Sequence, residues 1–366
     1  MHAQSQNLIC VSIDGLHNGM IGAYGNSWIQ TPTFDQLAAQ ASVFDRYYAA
    51  SVKLADNFDL LWRDTWLDQF SQNNGKTILV TDDSDIFNHT NAHFERKYMF
   101  EVPKDKVAAA AEDTLFFKIF ATIIDLASDC IRNEPNRRYC IWAHLCGFRS
   151  CWDFPLFYRR LHRGEEDPGP YKNFRLPLFN TFNPDKLQSV IESYSGGVSL
   201  LDEVLSGLLE SLESGEVGVQ TVLAVFGVRG FALGEHKMIG ASYDLFDENI
   251  HLPLFVRLPD NTGATVRVAD LLNPSDLSEF FIALAKNQIN NAKITQLMKE
   301  NKTEKHKSIQ IKGKNNEIAL VLPDWFVRRC EEQISVYVKP DDRWEVNDVA
   351  NRLNENSEIN SILKEL

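Results

Sequence analysis

No stretch of this 366-residue chain approaches the roughly 20 apolar residues that a membrane-spanning helix needs. Its opening, MHAQSQNLICVSIDG, lacks a basic leader followed by an apolar core, and the short apolar run reads as a first strand. A cytoplasmic protein without membrane contact is therefore expected. Positive charge is in deficit. Against 50 Asp and Glu stand 37 Lys and Arg, and the formal charge of −13 argues against nucleic acid as a partner, since a sequence-independent grip on it needs a basic face. The GxxxxGK[ST] phosphate loop, the GxSxG elbow and the GxGxxG fingerprint are missing, so the common nucleotide-binding and α/β-hydrolase readings have nothing to stand on. Cysteine is sparse. The six are scattered, and the one close pair, Cys146 and Cys151 in CGFRSC, has no second pair to complete a zinc site.

What is present is an alternation. Apolar or β-branched runs recur at residues 8–13, 77–81 (TILVT), 139–143 (YCIWA), 221–226 (TVLAVF) and 252–258 (LPLFVRL), and being apolar on both faces they suit interior strands covered by helices. Helix-period segments lie between them at 33–43, 106–130 and 184–212. Strand alternating with helix implies an α/β sandwich with a mostly parallel sheet. From about residue 290 the chain turns polar and lysine-rich, which gives an expected division into 1–290 as the α/β domain, 291–316 as a linker, and 317–366 as a small C-terminal subdomain. EIALVLPDWFVRR and ISVYVKPDDRWEVNDVANRL then read as two strands and a short helix. The lysine-rich segment 299–313 is either a solvated face or an interaction surface.

Four separated stretches, in order, carry a resemblance: NLICVSIDGLHNGMIGAYGNSWIQTPTFDQLAAQASVFDRYYAAS, YCIWAHLCGFRSCWDFP, AVFGVRGFALGEHKMIGASYDLFDENIHLPLFVRLPD and VYVKPDDRWEVNDVANR. Together they resemble the sulfatase family of the alkaline-phosphatase superfamily. The resemblance implies an alkaline-phosphatase-like α/β/α sandwich with a mostly parallel central sheet and a small C-terminal sheet layer. It also implies a divalent cation, usually calcium, held by carboxylates after the first strand and by further ligands after a late strand, set against a cysteine matured to formylglycine in C-x-P-S-R. A hard cation wants several oxygen ligands, activates the nucleophile and neutralises sulfate oxygens.

The chain departs from that pattern at the residues that carry the chemistry. Asp14 stands where the first-strand aspartate belongs, but Gly15 replaces its neighbouring carboxylate and Gly19 the second aspartate of some members. The family's TSDHG reads Phe226, Gly227, Val228, Arg229, Gly230, so one ligand position holds valine and the next arginine. The nucleophile region YYAASVKLADNFDLLW contains no cysteine; Ser51 is its only serine or threonine, and no P-S-R follows it. One carboxylate alone does not hold calcium tightly. A degenerate sulfatase-like protein without sulfuric ester hydrolase activity is therefore expected. No cofactor is anticipated, and calcium enters only if the family's metal site is retained, with Asp14 its vestigial ligand.

Arg229 then has three readings: a fixed charge replacing the cation and clamping Asp14, an anion-binding group, or a solvated loop residue. His144 ends a strand near the family's cleft and is either a pocket residue or a satisfied structural one. Arg149 replaces a family histidine and either binds an anion or makes a salt bridge. His236 matches a retained family position and reads as structural; Lys53 either reaches the pocket or is solvated. Asp82 and Asp83 in TDDSD suit a turn or cap better than a metal. A binding protein built this way would take a sulfated or phosphorylated anion, or a protein partner such as an active paralogue. The rival is a metal-poor sulfuric or phosphoric ester hydrolase using Asp14, His144 and an arginine. An Asp14–Arg229 hydrogen bond with the nucleophile segment filling the cleft would count against that rival; an open pocket with free arginines would favour it.

Overall fold

The computed structural model describes residues 6–104, 107–176, 183–286, 306–353 and Ile359. Eight strands form the main sheet: β1 (Asn7–Asp14), β2 (Ser42–Phe44), β3 (Gly75–Thr81), β4 (Arg96–Met99), β5 (Arg138–Leu145), β6 (Thr221–Arg229), β7 (Leu254–Arg257) and β8 (Arg267–Val268). Their order is β8-β2-β7-β6-β1-β5-β3-β4. All pairings are parallel except the two made by β7, which runs antiparallel to β6 and β2.

The period-2 geometry of a strand sends alternate side chains to opposite faces, so each face of a central strand feeds its own core. From β1, Ile9, Val11 and Ile13 enter one core with helices α1 (Pro32–Gln40), α4 (Leu115–Asn133) and α5 (Pro184–Glu213). Leu8 and Cys10 enter the opposite core with α2 (Leu54–Leu61), α3 (Trp66–Gln72) and α6 (Pro274–Ala285). Two apolar faces thus give the α/β/α sandwich. Among the described residues no helix is long and apolar enough to cross a membrane.

Two boundaries differ from the sequence reading. The helix expected from residue 106 begins only at Leu115, because Thr114 caps it by accepting the Phe117 N–H. The expected linker ends early. Its residues 291–305 lie outside the described residues, but Ile309–Lys312 forms β9, with Ile309 and Ile311 buried and Gln310 and Lys312 exposed. In a lysine-rich context that alternation is easily overlooked, yet two isoleucines suffice to pack one face. With β10 (Ile318–Val321), β11 (Trp325–Cys330) and β12 (Gln333–Val338) it builds a four-stranded antiparallel sheet. The stretch read as one strand is two, because Leu322 to Asp324 turn the chain between β10 and β11. This sheet packs Ile309, Ile311 and Phe326 against Tyr48, Val52 and Ile250 of the main unit.

Candidate functional site

The carboxyl ends of β1, β6, β5 and β3 converge, the place where open α/β sheets bind ligands. Asp14 closes β1 and is buried. Opposite it the register slips: Ile13 pairs with Gly227, whereas Asp14 pairs with Arg229. Bulges of this kind re-aim a side chain. Val228 is the extra residue, and its side chain turns into the core with Phe226 and Trp142. Arg229 faces Asp14. Its Nε donates to Asp14 Oδ1 at 3.0 Å and its Nη2 donates to Oδ2, a two-pronged grip on both carboxylate oxygens. Burial pushes the Asp14 carboxyl up, but Arg229 and then Arg149 outweigh it and hold the group below its ordinary range.

Arg149 stands behind this pair, its Nε 3.8 Å from Asp14 Oδ1. Its remaining donors go to backbone carbonyls, Nη1 to Gly230 at 2.9 Å and Nη2 to Ser242 at 3.1 Å. Burial lowers it to about 10, still cationic at neutral pH. Arg149 also explains Gly15. At φ +74° this residue sits where L side chains are strained, and a Cβ there would lie 2.7 Å from Arg149 Cγ and 3.0 Å from its backbone nitrogen. The arginine fills the space in which a second carboxylate would stand.

His144, at the end of β5, is fully buried. Ser12 Oγ donates to the Ala143 carbonyl at 3.2 Å and accepts from Trp142 Nε1 at 3.1 Å, so the His144 Nδ1 at 3.1 Å carries the proton toward its remaining lone pair. Nε2 is then a lone pair, buried and without a hydrogen-bond partner among the described residues; Asp83 Oδ2 is 3.9 Å away. Burial holds the imidazole below its usual value, which fits the neutral form. Phe58 of α2 packs edge-on against the ring at 4.9 Å.

The segment that would carry a nucleophile is stitched down. Lys312 of β9 donates its N–H to the Ala50 carbonyl and accepts from Val52 N–H. Ser51 Oγ donates to Asp56 Oδ2 at 2.7 Å and accepts the Lys53 N–H. Arg229 Nη1 reaches the Val52 carbonyl at 3.4 Å.

Of the residues singled out from sequence, Asp14, Arg229, Arg149 and His144 come together here. Lys53 does not; its side chain is exposed. His236 lies apart, its ring stacked 3.5 Å from that of Phe246 with Nδ1 3.1 Å from Glu248 Oε1. Asp83 caps the short helix Ser84–Phe87 by accepting two N–H groups, and Asp82, pushed up to about 7 by burial, accepts the Cys146 N–H at 2.7 Å. Cys146 and Cys151 are free thiols. Among the described residues no group of three or more His, Cys, Asp or Glu side chains is placed to hold a metal ion. The donor set around Asp14, one carboxylate already held by a guanidinium, does not fit calcium.

Sequence reasoning missed a cavity of about 430 Å³ between this end of the sheet and the turn after β12, lined by residues as far apart as His17, Asp247 and Arg343. None of Asp14, His144, Arg149 and Arg229 lines it. No local motif marks such a place, because it is assembled from stretches scattered between residues 17 and 345.

The whole is an alkaline-phosphatase-like α/β architecture, the fold of sulfatases. Comparison with known proteins makes that particular. No family model matches the chain. Over 90 residues it is 32% identical to human iduronate 2-sulfatase, a stretch that is 25% of this chain and only 16% of that protein's length. Two solved structures share its fold over nearly their full length. BT4656 in complex with its substrate D-glucosamine-2-N,6-O-disulfate superposes with a TM-score of 0.75 at 15% identity, covering 99% of this chain and 97% of that one. The phosphonate monoester hydrolase of Agrobacterium radiobacter gives 0.77 at 12% identity, covering 98% and 94%.

Proposed function

We propose that this chain is a degenerate sulfatase-like protein that does not hydrolyse sulfuric esters and acts by binding. The observation that carries the reading is the fork of Arg229 on Asp14. A permanent guanidinium occupies the charge position that a sulfatase of the resembled kind gives to its cation, and it uses both oxygens of the one remaining carboxylate. A buried carboxylate without a counter-charge is costly, so the arginine clamps two strand ends that a metal would otherwise join. The arginine cannot replace the metal chemically. It carries no exchangeable ligand position and does not lower the pKa of a bound nucleophile as a metal does.

Three further features support the reading. Ser51, the serine of the segment that would carry a nucleophile, is committed to Asp56. Phe58 covers the His144 ring. Arg149 is engaged by the Gly230 and Ser242 carbonyls and faces Asp14 through Nε, so its guanidinium is already committed within the protein. The neighbours act on a disulfated glucosamine and on phosphonate monoesters, which makes a sulfated or phosphorylated small molecule, or a protein partner, the class of ligand to try.

Turnover of a chromogenic aryl sulfate and of its phosphate counterpart, with calcium or magnesium in excess, tests this. The expected result is no release above buffer from the wild type or from Arg229→Ala. Release by the wild type that vanishes in the variant would mean that the arginine belongs to a rebuilt active site.

A further inference from the structure

The cavity between the loop after β1 and the turn after β12 is polar in an unusual way. Its walls carry four fixed cations, Arg46, Arg267, Lys339 and Arg343, and five carboxylates. Of these carboxylates Glu345 is held protonated near neutral pH, burial pushing it up to about 8. Among the fixed charges the signs then balance, four against four, and His17, which burial would lower but Glu235 raises, adds positive charge when protonated. A multiply charged anion meets repulsion as well as attraction in such a place, and among the described residues no three His, Cys, Asp or Glu side chains are placed to hold a metal ion.

Most of these charges already have partners. Arg267 forks onto Asp45, and Glu235 accepts from Leu233 N–H at 2.6 Å and faces His17 at 3.3 Å. Lys339 Nζ donates to the Arg343 carbonyl at 3.0 Å and lies 3.0 Å from the protonated Glu345, and Glu248 faces His236. Two groups of opposite sign are left over. Asp247 meets His251 through Oδ2 at 3.1 Å, but its Oδ1 is buried and has no hydrogen-bond partner among the described residues. The carboxyl is strongly acidic: burial opposes the charge, and His251, Lys339 and Arg343 override it to about 2. Arg343 has no ion-pair or hydrogen-bond partner for its guanidinium among the described residues. That group lies over the Trp344 ring and near the Asn18–Met20 turn, 3.9 Å from where a Gly19 Cβ would stand. Asn18 is buried at the same rim, its carboxamide unbonded among the described residues. The turn is held in an uncommon conformation, Glu345 at φ +53°.

We propose that this cavity binds a small zwitterion carrying one carboxylate and one primary ammonium, such as an amino acid or short peptide, its carboxylate on Arg343 and Asn18 and its ammonium on Asp247. A guanidinium presents a planar fork suited to a carboxylate. An ammonium supplies the donor that Asp247 Oδ1 lacks. Trp344 and Tyr48 give the connecting carbons apolar surface, and the volume lies within the range of about 300–1,000 Å³ typical of small-molecule sites. The inference is independent of ester hydrolysis.

Calorimetric titration of the full chain with the ω-amino acids from glycine to 6-aminohexanoate, together with glycylglycine, tests it. Hexanoate, hexylamine, glucose and 4-nitrophenyl sulfate serve as single-charge, neutral and anionic controls. The expected result is saturable binding of at least one zwitterion, at least about tenfold tighter than any control, and weakened about tenfold or more by Arg343→Gln. Arg343 is exposed, so that variant is expected to fold. Asp247→Asn is the second variant, and its unfolding midpoint reports whether it folds. Equal binding of a control, unaltered zwitterion binding in Arg343→Gln, or no zwitterion binding up to about 10 mM would overturn the proposal.

Discussion

Replacing Arg229 by methionine isolates the clamp. The Asp14 side chain is 3% exposed and that of Arg229 14%, so solvent screens the pair little. Without the guanidinium, the remaining cation beside Asp14 among the described residues is Arg149 at 3.8 Å, which also donates to the Gly230 and Ser242 carbonyls. Breaking a buried pair from one side costs about 3–5 kcal/mol, and the residual field of Arg149 places the loss toward the lower end. Adding Asp14→Asn removes the stranded charge, so the double variant recovers much of that loss. The sign of the pH dependence comes from the lowered Asp14 carboxyl. Its stabilising contribution is present above the unfolded value of about 3.9 and is lost as pH falls through the folded value. The gap between wild type and Arg229→Met therefore narrows below about pH 4. Equilibrium urea unfolding followed by tryptophan fluorescence measures the wild type, both single variants and the double variant. A loss below about 1 kcal/mol in the single variant, or a double variant as damaged as the sum of the two singles, would refute the clamp.

Two other substitutions probe the same end of the sheet. Gly15→Asp puts back the missing carboxylate but meets Arg149 and a positive φ; it is expected to lower stability by about 1–3 kcal/mol without creating calcium affinity, as unfolding with and without calcium would show. Glu345 has a folded value raised to about 8, so its contribution is fully present below the unfolded value of about 4.3 and is lost as pH rises toward 8. Glu345→Gln should flatten that fall and be the more stable protein at pH 8, read from thermal midpoints across pH 5–9.

The strands were legible because burial on two faces leaves a run of apolar residues, and β1, β3, β5 and β6 each announce themselves that way. Opposition of Asp14 and Arg229 came from placing both at strand ends. The bulge at Val228 was not legible, since an inserted residue alters register and not composition. Nor was the Arg149 side chain over Gly15, because the glycine reports only that room is missing and not what takes it. β9 hid in a polar stretch where two isoleucines decide the outcome. The seam cavity has no sequence signal: His17, Asp247 and Arg343 lie far apart in sequence and carry no motif that joins them.

The most direct test of the central claim, that a guanidinium stands in the cation's place, is the calcium dependence of wild-type unfolding. A site with a dissociation constant one hundredth of the free calcium concentration would add about 2.7 kcal/mol to stability. The account predicts an unfolding midpoint that does not move from chelator to millimolar calcium. A midpoint that climbs with the logarithm of calcium concentration, and stops climbing in Asp14→Asn, would contradict it.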